Sequence, residues 1–276
     1  MILKSNTKLN LGLRILNRRK DNLHNIATLY TEIDFGDEIQ INKQEKGCYI
    51  KSNVDWIPLD ESNLCFKAYD LLSKKAQKDL GISIYINKKV PTGSGIGGGS
   101  SNAAAMLKGL NQVYNIGLDV NELEKIGSKI GADVPFFIKG GSQIGEETGF
   151  KLTPVKINLK EKLLLVIPDI SISTKWAYAQ IKNKLKSENI IPKFADLMRK
   201  NFLTFKFFEN DFEKIVIPAY PEIGAIKKKL LDSGAKFASL SGSGSTVYGV
   251  FDDEAKLNKA ESFFHNSHLT ILANPI

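Results

Sequence analysis

The chain has 276 residues, 42% hydrophobic and 25% charged, and a net charge of +8; these values are typical of a globular protein long enough for two domains. No apolar run is long enough for a membrane span and the first residues lack the apolar segment of a signal peptide, so no membrane association is expected. The two cysteines, Cys48 and Cys65, and the three histidines lack metal-binding spacing, which excludes a disulfide framework and predicts a cytoplasmic protein.

The positive charge is also typical of nucleic-acid-binding proteins. The lysines are scattered, however, and their densest cluster is only Lys227–Lys229. Arginine, which is better suited to reading bases and phosphates, is scarce. A solvated, lysine-rich surface is therefore the favoured interpretation, and no nucleic-acid partner is expected. A positive field would also suit an anionic substrate.

The N-terminal part of the sequence alternates between strand and helix patterns. Leu9 to Ile15 alternate with polar residues, which predicts a half-buried strand with Lys8 and Asn10 on its polar face. Ile82 to Ile86 show the same alternation and predict a strand that leads into a glycine-rich loop. Apolar residues at helical spacing predict helices over Asn63–Leu80 (ended by Gly81), from an N-cap at Ser100 or Ser101 to Gly117, and over about Asn121–Ile130.

A turn and a domain boundary are predicted in the middle of the chain. Pro135 biases Val134 towards an extended conformation, so Asp133 is expected at a turn that leads into a strand. The composition shifts near Thr153 and Pro154. We therefore expect one domain over residues 1–154 and a second over residues 155–276.

The C-terminal part again mixes strands with helices. Pro221 is expected to open a helix whose inward residues are Ile223, Ile226, Leu230 and Leu231. The half-exposed strands favour an α+β fold over a doubly wound parallel sheet. The remaining predicted elements are strands over Lys162–Ile167, Lys236–Leu240, Thr246–Phe251 and Leu269–Leu272, and helices over Lys175–Lys186, Phe194–Phe202 and Asp253–Phe264.

The stretch from Val90 to Tyr114 carries the strongest functional signal. Five glycines lie between Gly93 and Gly99, and an apolar helical pattern follows them. Glycine lets backbone N–H groups approach a ligand closely, and the helix N-terminus adds free N–H groups and a positive dipole end. Together these features predict a phosphate-binding loop.

Three common phosphate loops fit this stretch poorly. A dinucleotide-binding fold needs a continuous apolar strand before the loop, whereas Ile82 to Ile86 alternate with polar residues. A Walker A loop needs a lysine before its final serine or threonine, and Gly99 runs directly into two serines. The lysine and catalytic-loop motifs of protein kinases are also missing from the sequence.

The loop and its two serines resemble the central motif of the GHMP small-molecule kinases. Lys8 to Leu13, with Arg19, Asp21 and His24, is similar to the N-terminal motif of that family, and Ser241–Ser245 resembles its C-terminal glycine motif. Finer motifs are most similar to members whose alcohol substrate, a methylerythritol, is linked to cytidine diphosphate. These motifs are Gly131–Phe137 and Glu209–Phe212.

The resemblance implies a fold and a set of ligands. The family fold has an N-terminal domain like ribosomal protein S5 domain 2 and a ferredoxin-like C-terminal domain, with ATP and substrate bound between them. ATP and Mg²⁺ are the implied cofactors, and Ser101 is the implied Mg²⁺ contact. The implied ATP-binding residues are Pro91, Gly93, Gly95, Gly97, Gly98, Gly99, Ser100 and Ser101.

The resemblance also implies catalytic and substrate-binding residues. Asp133 corresponds to the family's general base, which takes the proton of the attacking hydroxyl. Lys8 corresponds to the lysine that pairs with this aspartate. Tyr178 is a candidate for stacking on the cytosine ring. The alternative is that Tyr178 is only a core residue of its helix. The substrate-binding candidates are Asn10, His24, Thr174, Tyr178 and Gly242.

Two positions depart from the family pattern. Asn102 replaces a common aspartate, which removes a negative charge near the phosphates, and Leu23 replaces a tyrosine expected to stack on cytosine. A homoserine- or mevalonate-like substrate therefore stays open as an alternative. A non-catalytic nucleotide- or RNA-binding role is a further alternative. The pattern does not predict an oligomeric state.

Overall fold

The computed structural model describes residues 1–181, 205 and 208–276. Within these residues the chain forms ten strands and eight helices. The strands are β1 Ile2–Arg18, β2 His24–Lys43, β3 Cys48–Ser52, β4 Ile82–Asn87, β5 Ser142–Glu146, β6 Lys151–Pro154, β7 Lys162–Ile167, β8 Phe237–Leu240, β9 Val247–Phe251 and β10 Leu269–Ala273. The helices are α1 Leu64–Ala76, α2 Gly98–Val113, α3 Val120–Gly127, α4 Val134–Lys139, α5 Thr174–Gln180, α6 Glu213–Ala219, α7 Pro221–Asp232 and α8 Glu254–Phe264.

The strands form two mixed or antiparallel sheets, which confirms the predicted α+β class. The first sheet has the order β3-β4-β2-β5-β6, and β1 pairs with β2. Its β3–β4 pair is parallel, whereas β2 is antiparallel to both β4 and β5. The second sheet, β10-β7-β9-β8, is antiparallel throughout. No helix in the described part of the chain has both the length and the apolarity needed to cross a membrane.

The chain divides into two compact units that interleave along the sequence. The predicted boundary after Pro154 falls inside the second unit. Two predicted helices extend beyond the described residues: the one over Phe194–Phe202 lies entirely outside them, and the one over Lys175–Lys186 lies partly outside. The first unit comprises Met1–Thr7, Gly36–Thr92 and Gly97–Gly140, and the second comprises Lys8–Phe35, Gly93–Ile96 and Gly141–Ile276.

The first unit is built around α2. Its alanines are buried, and Gly109 leaves room for Leu3 and Ile41, because a Cβ there would lie 2.5 Å from each side chain. Helix α3 begins with a capping box, in which Asp119 accepts from the backbone of Glu122 while that glutamate accepts from the backbone of Asp119. Helix α2, which begins where the glycine-rich loop ends, is therefore held within the core of the first unit.

The second unit has its core between the second sheet and the helices that follow it. Phe212 and Phe251 are each 1% exposed, and they pack with the inward residues of α7. Ile223, Ile226 and Leu230 are buried as predicted. Leu231 was predicted inward but is 42% exposed, because consecutive helix positions point about 100° apart.

The first strand is more buried than its sequence predicts. Lys8 is 4% exposed and Asn10 is 1% exposed. Their apolar neighbours on the other face, Leu9 and Leu11, are equally buried. The prediction of a half-buried strand with a polar outer face is therefore wrong. Both faces of β1 are covered here, and alternation records only side-chain polarity, so it does not report this burial.

Several helix boundaries differ from their predictions. Helix α1 ends at Ala76, because Gln77 adopts a left-handed conformation (φ 50°) and donates its N–H back to the last turn. Helix α2 is capped by Gly97 rather than by a serine, and it ends at Val113, before Gly117. Asp133 lies at a turn as predicted, but a short helix follows it rather than a strand. Pro135 fits there because the first helical turn needs no N–H from it.

Candidate active site

Lys8 lies at the centre of a buried polar cluster in the second unit. Its Nζ donates to Asn10 Oδ1 (2.5 Å) and to the carbonyl oxygen of Gly95 (3.0 Å). The same ammonium lies 5.5 Å from the centroid of the Tyr30 ring, within the range of a cation–π contact. The fold thus brings together three residues that the motifs predicted from separate parts of the chain: Lys8, Asn10 and Gly95.

The C-terminal glycine loop, Ser241–Ser245, completes this cluster. Ser241 Oγ donates to the Gly95 carbonyl oxygen over 3.1 Å and lies 3.4 Å from the backbone nitrogen of Asn10. A Cβ at Gly95 would meet the Ser241 carbonyl oxygen at 2.4 Å, so only glycine fits between the two loops. A Cβ at Gly242 would lie 3.6 Å from Lys8 Nζ. The predicted Gly242 therefore belongs to the surroundings of Lys8.

An aromatic stack in the same unit involves two of the predicted substrate residues. The rings of His24 and Tyr178 stack with centroids 5.3 Å apart, and Tyr178 packs edge-on against Phe212 at 5.0 Å. The contact with Phe212 agrees with a core position for Tyr178, whereas its stacking on cytosine stays a prediction. Desolvation, followed by the charge of Arg18, lowers the pKa of His24 below its usual value, so its imidazole is neutral near pH 7. Leu23 is 52% exposed beside it.

Thr174 and Gly93 also contact neighbours of this cluster. Thr174 Oγ1 lies 2.9 Å from Ser243 Oγ, in the loop that contains Gly242. A Cβ at Gly93 would lie 2.4 Å from Ser171 Oγ, so a side chain there would displace that hydroxyl. Both residues therefore lie close to loop segments of the second unit. The roles of Gly93 in binding ATP and of Thr174 in binding substrate stay predictions.

The two glycines at the N-terminus of α2, Gly98 and Gly99, differ in how much space surrounds them. A Cβ at Gly98 would meet the Val90 side chain at 2.8 Å, which makes this glycine a packing requirement. A Cβ at Gly99 would meet only Leu64 Cδ1, at an ordinary 3.7 Å, and Gly99 is exposed. The space above Gly99 is thus open to a ligand, which fits a phosphate at the helix N-terminus. Pro91 and Ser100 are partly exposed.

Ser101 and Asn102 face the protein interior. Ser101 is 3% exposed, and its hydroxyl donates to the Asn6 carbonyl oxygen over 2.5 Å. Ser5 Oγ lies 2.7 Å from both Ser101 Oγ and Asn102 Oδ1. Asn102, which replaces the family's aspartate, therefore contributes a neutral acceptor to β1. The predicted Mg²⁺ contact of Ser101 stays a prediction.

Asp37 organises the entry to the glycine-rich loop and was missed by the sequence analysis. Its side chain is fully buried, and it accepts hydrogen bonds from Lys88 Nζ (2.5 Å) and from the backbone N–H groups of Lys89 and Val90 (2.7 and 2.9 Å). Both oxygens of the buried Asp37 carboxylate are therefore hydrogen-bonded. No local pattern joins Asp37 to Lys88, since they lie on β2 and just after β4.

The Asp133 turn lies beside the start of α2. A Cβ at Gly131, two residues earlier, would lie 3.9 Å from Ser100 Oγ. Asp133 is the N-cap residue of α4, but its carboxylate does not bond the N–H groups of that helix. Lys8 belongs to the other unit, so the pairing of Lys8 with Asp133 stays a prediction.

Other candidate groups offer less chemistry. Burial raises the pKa of the Cys48 and Cys65 thiols to about 12, so neither supplies a thiolate near neutral pH. Among residues 1–181, 205 and 208–276, no group of three or more histidine, cysteine, aspartate or glutamate side chains is placed to hold a metal ion.

The fold and its glycine loops define a GHMP kinase. The GHMP kinases N terminal domain matches residues 63–141, and the GHMP kinases C terminal domain matches residues 187–269. A crystal structure of 4-(cytidine 5'-diphospho)-2C-methyl-D-erythritol kinase superposes with a TM-score of 0.86 at 23% identity, covering 100% of this chain and 99% of that one. The mevalonate kinase of Methanococcus jannaschii gives 0.76 at 16% identity, covering 100% and 98%. These superpositions establish the shared fold.

Comparison with curated sequences shows which group of GHMP kinases the chain belongs to. A 4-diphosphocytidyl-2-C-methyl-D-erythritol kinase of Thermodesulfovibrio yellowstonii is 39% identical over 269 residues, covering 95% of this chain and 93% of its own. The corresponding kinase of Bacteroides fragilis is 39% identical over 267 residues, covering 95% and 96%. The chain belongs to the 4-diphosphocytidyl-2-C-methyl-D-erythritol kinase family of GHMP kinases.

Proposed function

We propose that this protein transfers the γ-phosphoryl group of ATP to the 2-hydroxyl of 4-diphosphocytidyl-2-C-methyl-D-erythritol, a step of the non-mevalonate isoprenoid pathway. The observation that carries the proposal is the cluster of Lys8, Asn10, Gly95 and Gly242, in which the family motifs meet around one buried ammonium. The near-full-length similarity to kinases of this name supports the same substrate.

The chain supplies the parts that phosphoryl transfer requires. The N–H groups at the start of α2 hold the phosphates, and the open space at Gly99 lets them approach. Asp133 accepts the proton of the attacking hydroxyl, and Lys8 stabilises the negative charge that develops on that oxygen. Ser101 is the candidate protein contact for Mg²⁺, and the ion, if delivered with ATP, would supply positive charge to offset the charge of the phosphates. Positioning and charge stabilisation account for most of the catalysis in such reactions.

The aromatic stack is the proposed site for cytosine. Tyr178 offers a flat face, and neutral His24 can donate or accept one hydrogen bond to the base edge. Leu23 adds apolar contact where relatives have a stacking ring. Thr174 and Gly242 are placed to contact the rest of the substrate from their shared loop neighbourhood. We also propose a cytoplasmic location, where ATP is available and both cysteines stay reduced.

A substrate comparison tests the proposal. Purified protein, ATP and Mg²⁺ are mixed with the cytidyl-linked alcohol, with mevalonate or with homoserine, and ADP release is measured. Turnover is expected with the cytidyl-linked alcohol, because only that substrate fills the aromatic site. Turnover with mevalonate or homoserine alone would establish the alternative GHMP kinase activity instead.

An RNA-binding role finds less support from the structure. The densest lysine cluster is largely occupied by its own neighbours: Lys227 pairs with Glu213 at 2.5 Å, Lys228 pairs with Asp232 at 2.6 Å, and Lys229 covers the Phe263 ring at 4.0 Å. Such pairing reduces the charge available to a phosphate backbone. The cluster therefore resembles a solvated surface, as the sequence favoured.

Replacing Gly99 by Ala is expected to weaken ATP binding about tenfold without lowering stability. The added methyl group would occupy the open space at the helix N-terminus, whereas alanine is the better helix former by about 1 kcal/mol. Titration calorimetry with ATP and urea unfolding measure the two effects. Gln112→Ala, an exposed position near the other end of α2, is the control and should bind ATP normally. Unchanged ATP affinity in Gly99→Ala would place the phosphates elsewhere.

A further inference from the structure

The sequence motif Glu209–Phe212 has no assigned role in the reaction. Its second residue, Asn210, nevertheless has one of the most completely hydrogen-bonded side chains in the described part of the chain. Asn210 is 2% exposed. Its Nδ2 donates to the carbonyl oxygens of Leu240 (2.7 Å) and Gly242 (2.8 Å), and its Oδ1 accepts from the Phe212 backbone over 3.0 Å. Both amide hydrogens and the amide oxygen are therefore used.

These partners determine which residue type fits the position. Two carbonyl oxygens on one side need two donors, and one N–H on the other side needs an acceptor. Aspartate has the same shape but offers no donor when ionised, and glutamine is one methylene longer. The surrounding backbone holds Asn210 in place, since Leu13 N donates to Glu209 O (2.9 Å) and Asp211 N donates to Leu13 O (2.8 Å).

The bonds of Asn210 lead to Lys8 through the C-terminal glycine loop. Asn210 holds the carbonyls on both sides of Ser241, and Ser241 Oγ donates to the Gly95 carbonyl oxygen. That same oxygen accepts the hydrogen bond of Lys8 Nζ. Asn210 also bonds Gly242 directly. A Cβ at Gly242 would lie 3.6 Å from Lys8 Nζ and 3.4 Å from Asn10 Oδ1.

We propose that Asn210 is a positioning residue for the phosphoryl transfer, which sets the C-terminal glycine loop against Lys8 and the alcohol substrate. This inference rests on the proposed function. Loop glycines can adopt many backbone conformations, so a loop of this composition needs outside bonds to stay in one of them. Asn210 supplies two such bonds from a buried position, and its side-chain bonds all go to the backbone of Leu240, Gly242 and Phe212.

The neighbouring Asp211 offers a matched control. It is also 2% exposed, but its carboxylate accepts from the Ile15 backbone (2.9 Å) and pairs with Arg14 (3.2 Å) and Lys214 (3.0 Å), none of which belongs to the glycine loop. Asp211→Asn keeps an acceptor for Ile15. It should lower stability while leaving the Michaelis constants unchanged.

The test compares steady-state kinetics of wild type, Asn210→Asp and Asp211→Asn at saturating and varied concentrations of each substrate. Asn210→Asp is expected to raise the KM for the cytidyl-linked alcohol about tenfold and to lower kcat, while the KM for ATP changes less than about twofold. A role in general stability would instead lower kcat through the folded fraction and leave both KM values unchanged. Far-UV circular dichroism verifies the fold, and Asn210→Ala, which buries no charge, replaces the aspartate variant if that variant is unfolded.

The outcomes distinguish a failure of the positioning role from a failure of the proposed kinase activity. Wild-type protein without turnover of the cytidyl-linked alcohol would refute the proposed function itself. Active wild type with an unchanged alcohol KM in the folded Asn210 variant would overturn the positioning role. An equal KM increase in Asp211→Asn would overturn it as well, because the effect would then not depend on the loop.

Discussion

Asp133→Asn is expected to lower kcat about 1,000-fold while ATP still binds, because asparagine cannot accept the proton of the attacking hydroxyl. The substitution keeps the size of the side chain. The Asp133 carboxylate does not cap α4, so the helix loses no capping bond and the fold should persist. The measurements are single-turnover phosphoryl transfer and ATP titration calorimetry on the same preparation.

The same substitution at another helix N-cap serves as the control for Asp133. Asp119 caps α3 by accepting from Glu122 over 2.8 Å, and asparagine preserves that acceptor. Asp119→Asn should therefore keep wild-type turnover. If Asp133→Asn turned over within about threefold of wild type, the assignment of Asp133 as the base would be wrong.

Lys8→Met is expected to lower kcat about 100-fold, because methionine replaces the aliphatic part of the lysine side chain but carries no charge. The ammonium is the group that would meet the oxyanion of the alcohol, and it also orients Asn10 and the Gly95 carbonyl through its two hydrogen bonds. Removing it takes away both the charge and the orientation. Steady-state kinetics across a range of alcohol concentrations measure the loss.

Lys4→Met tests whether any lysine of the first strand would give the same result. Lys4 is exposed on β1, so its replacement should leave kcat unchanged. Denaturant unfolding of Lys8→Met shows whether the variant remains folded at the assay temperature. A folded Lys8→Met enzyme with wild-type kcat would remove Lys8 from the catalytic residues and leave it a purely structural cation.

Local patterns predicted many elements because their causes are local. Alternation identified β4, helical spacing identified α1 and α8, and helix-opening chemistry placed Pro221 at the start of α7. Boundaries were less accurate where a single backbone conformation ended the element. Gln77 ends α1 by adopting a positive φ, which its residue type does not predict.

Burial and long-range partners could not be predicted in this way. The polar character of Lys8 and Asn10 suggested an outer face, yet both are buried, and Gly95 and Thr28 from other segments supply hydrogen-bond partners for them. Asp37 and Asn210 likewise looked like ordinary polar residues. Their partners lie 51 and 32 positions away along the chain, beyond the reach of any periodicity.

The sequence by itself determined the α+β class and the resemblance to GHMP kinases, and it predicted a phosphate-binding loop. These follow from backbone freedom at glycine, from short-range periodicity and from motifs in a characteristic order. Only the tertiary structure decided that Lys8, Gly95, Ser241 and Asn210 form one connected network. The physical reason is that a buried polar group must find its partners in space, and folding alone selects which distant donors and acceptors meet.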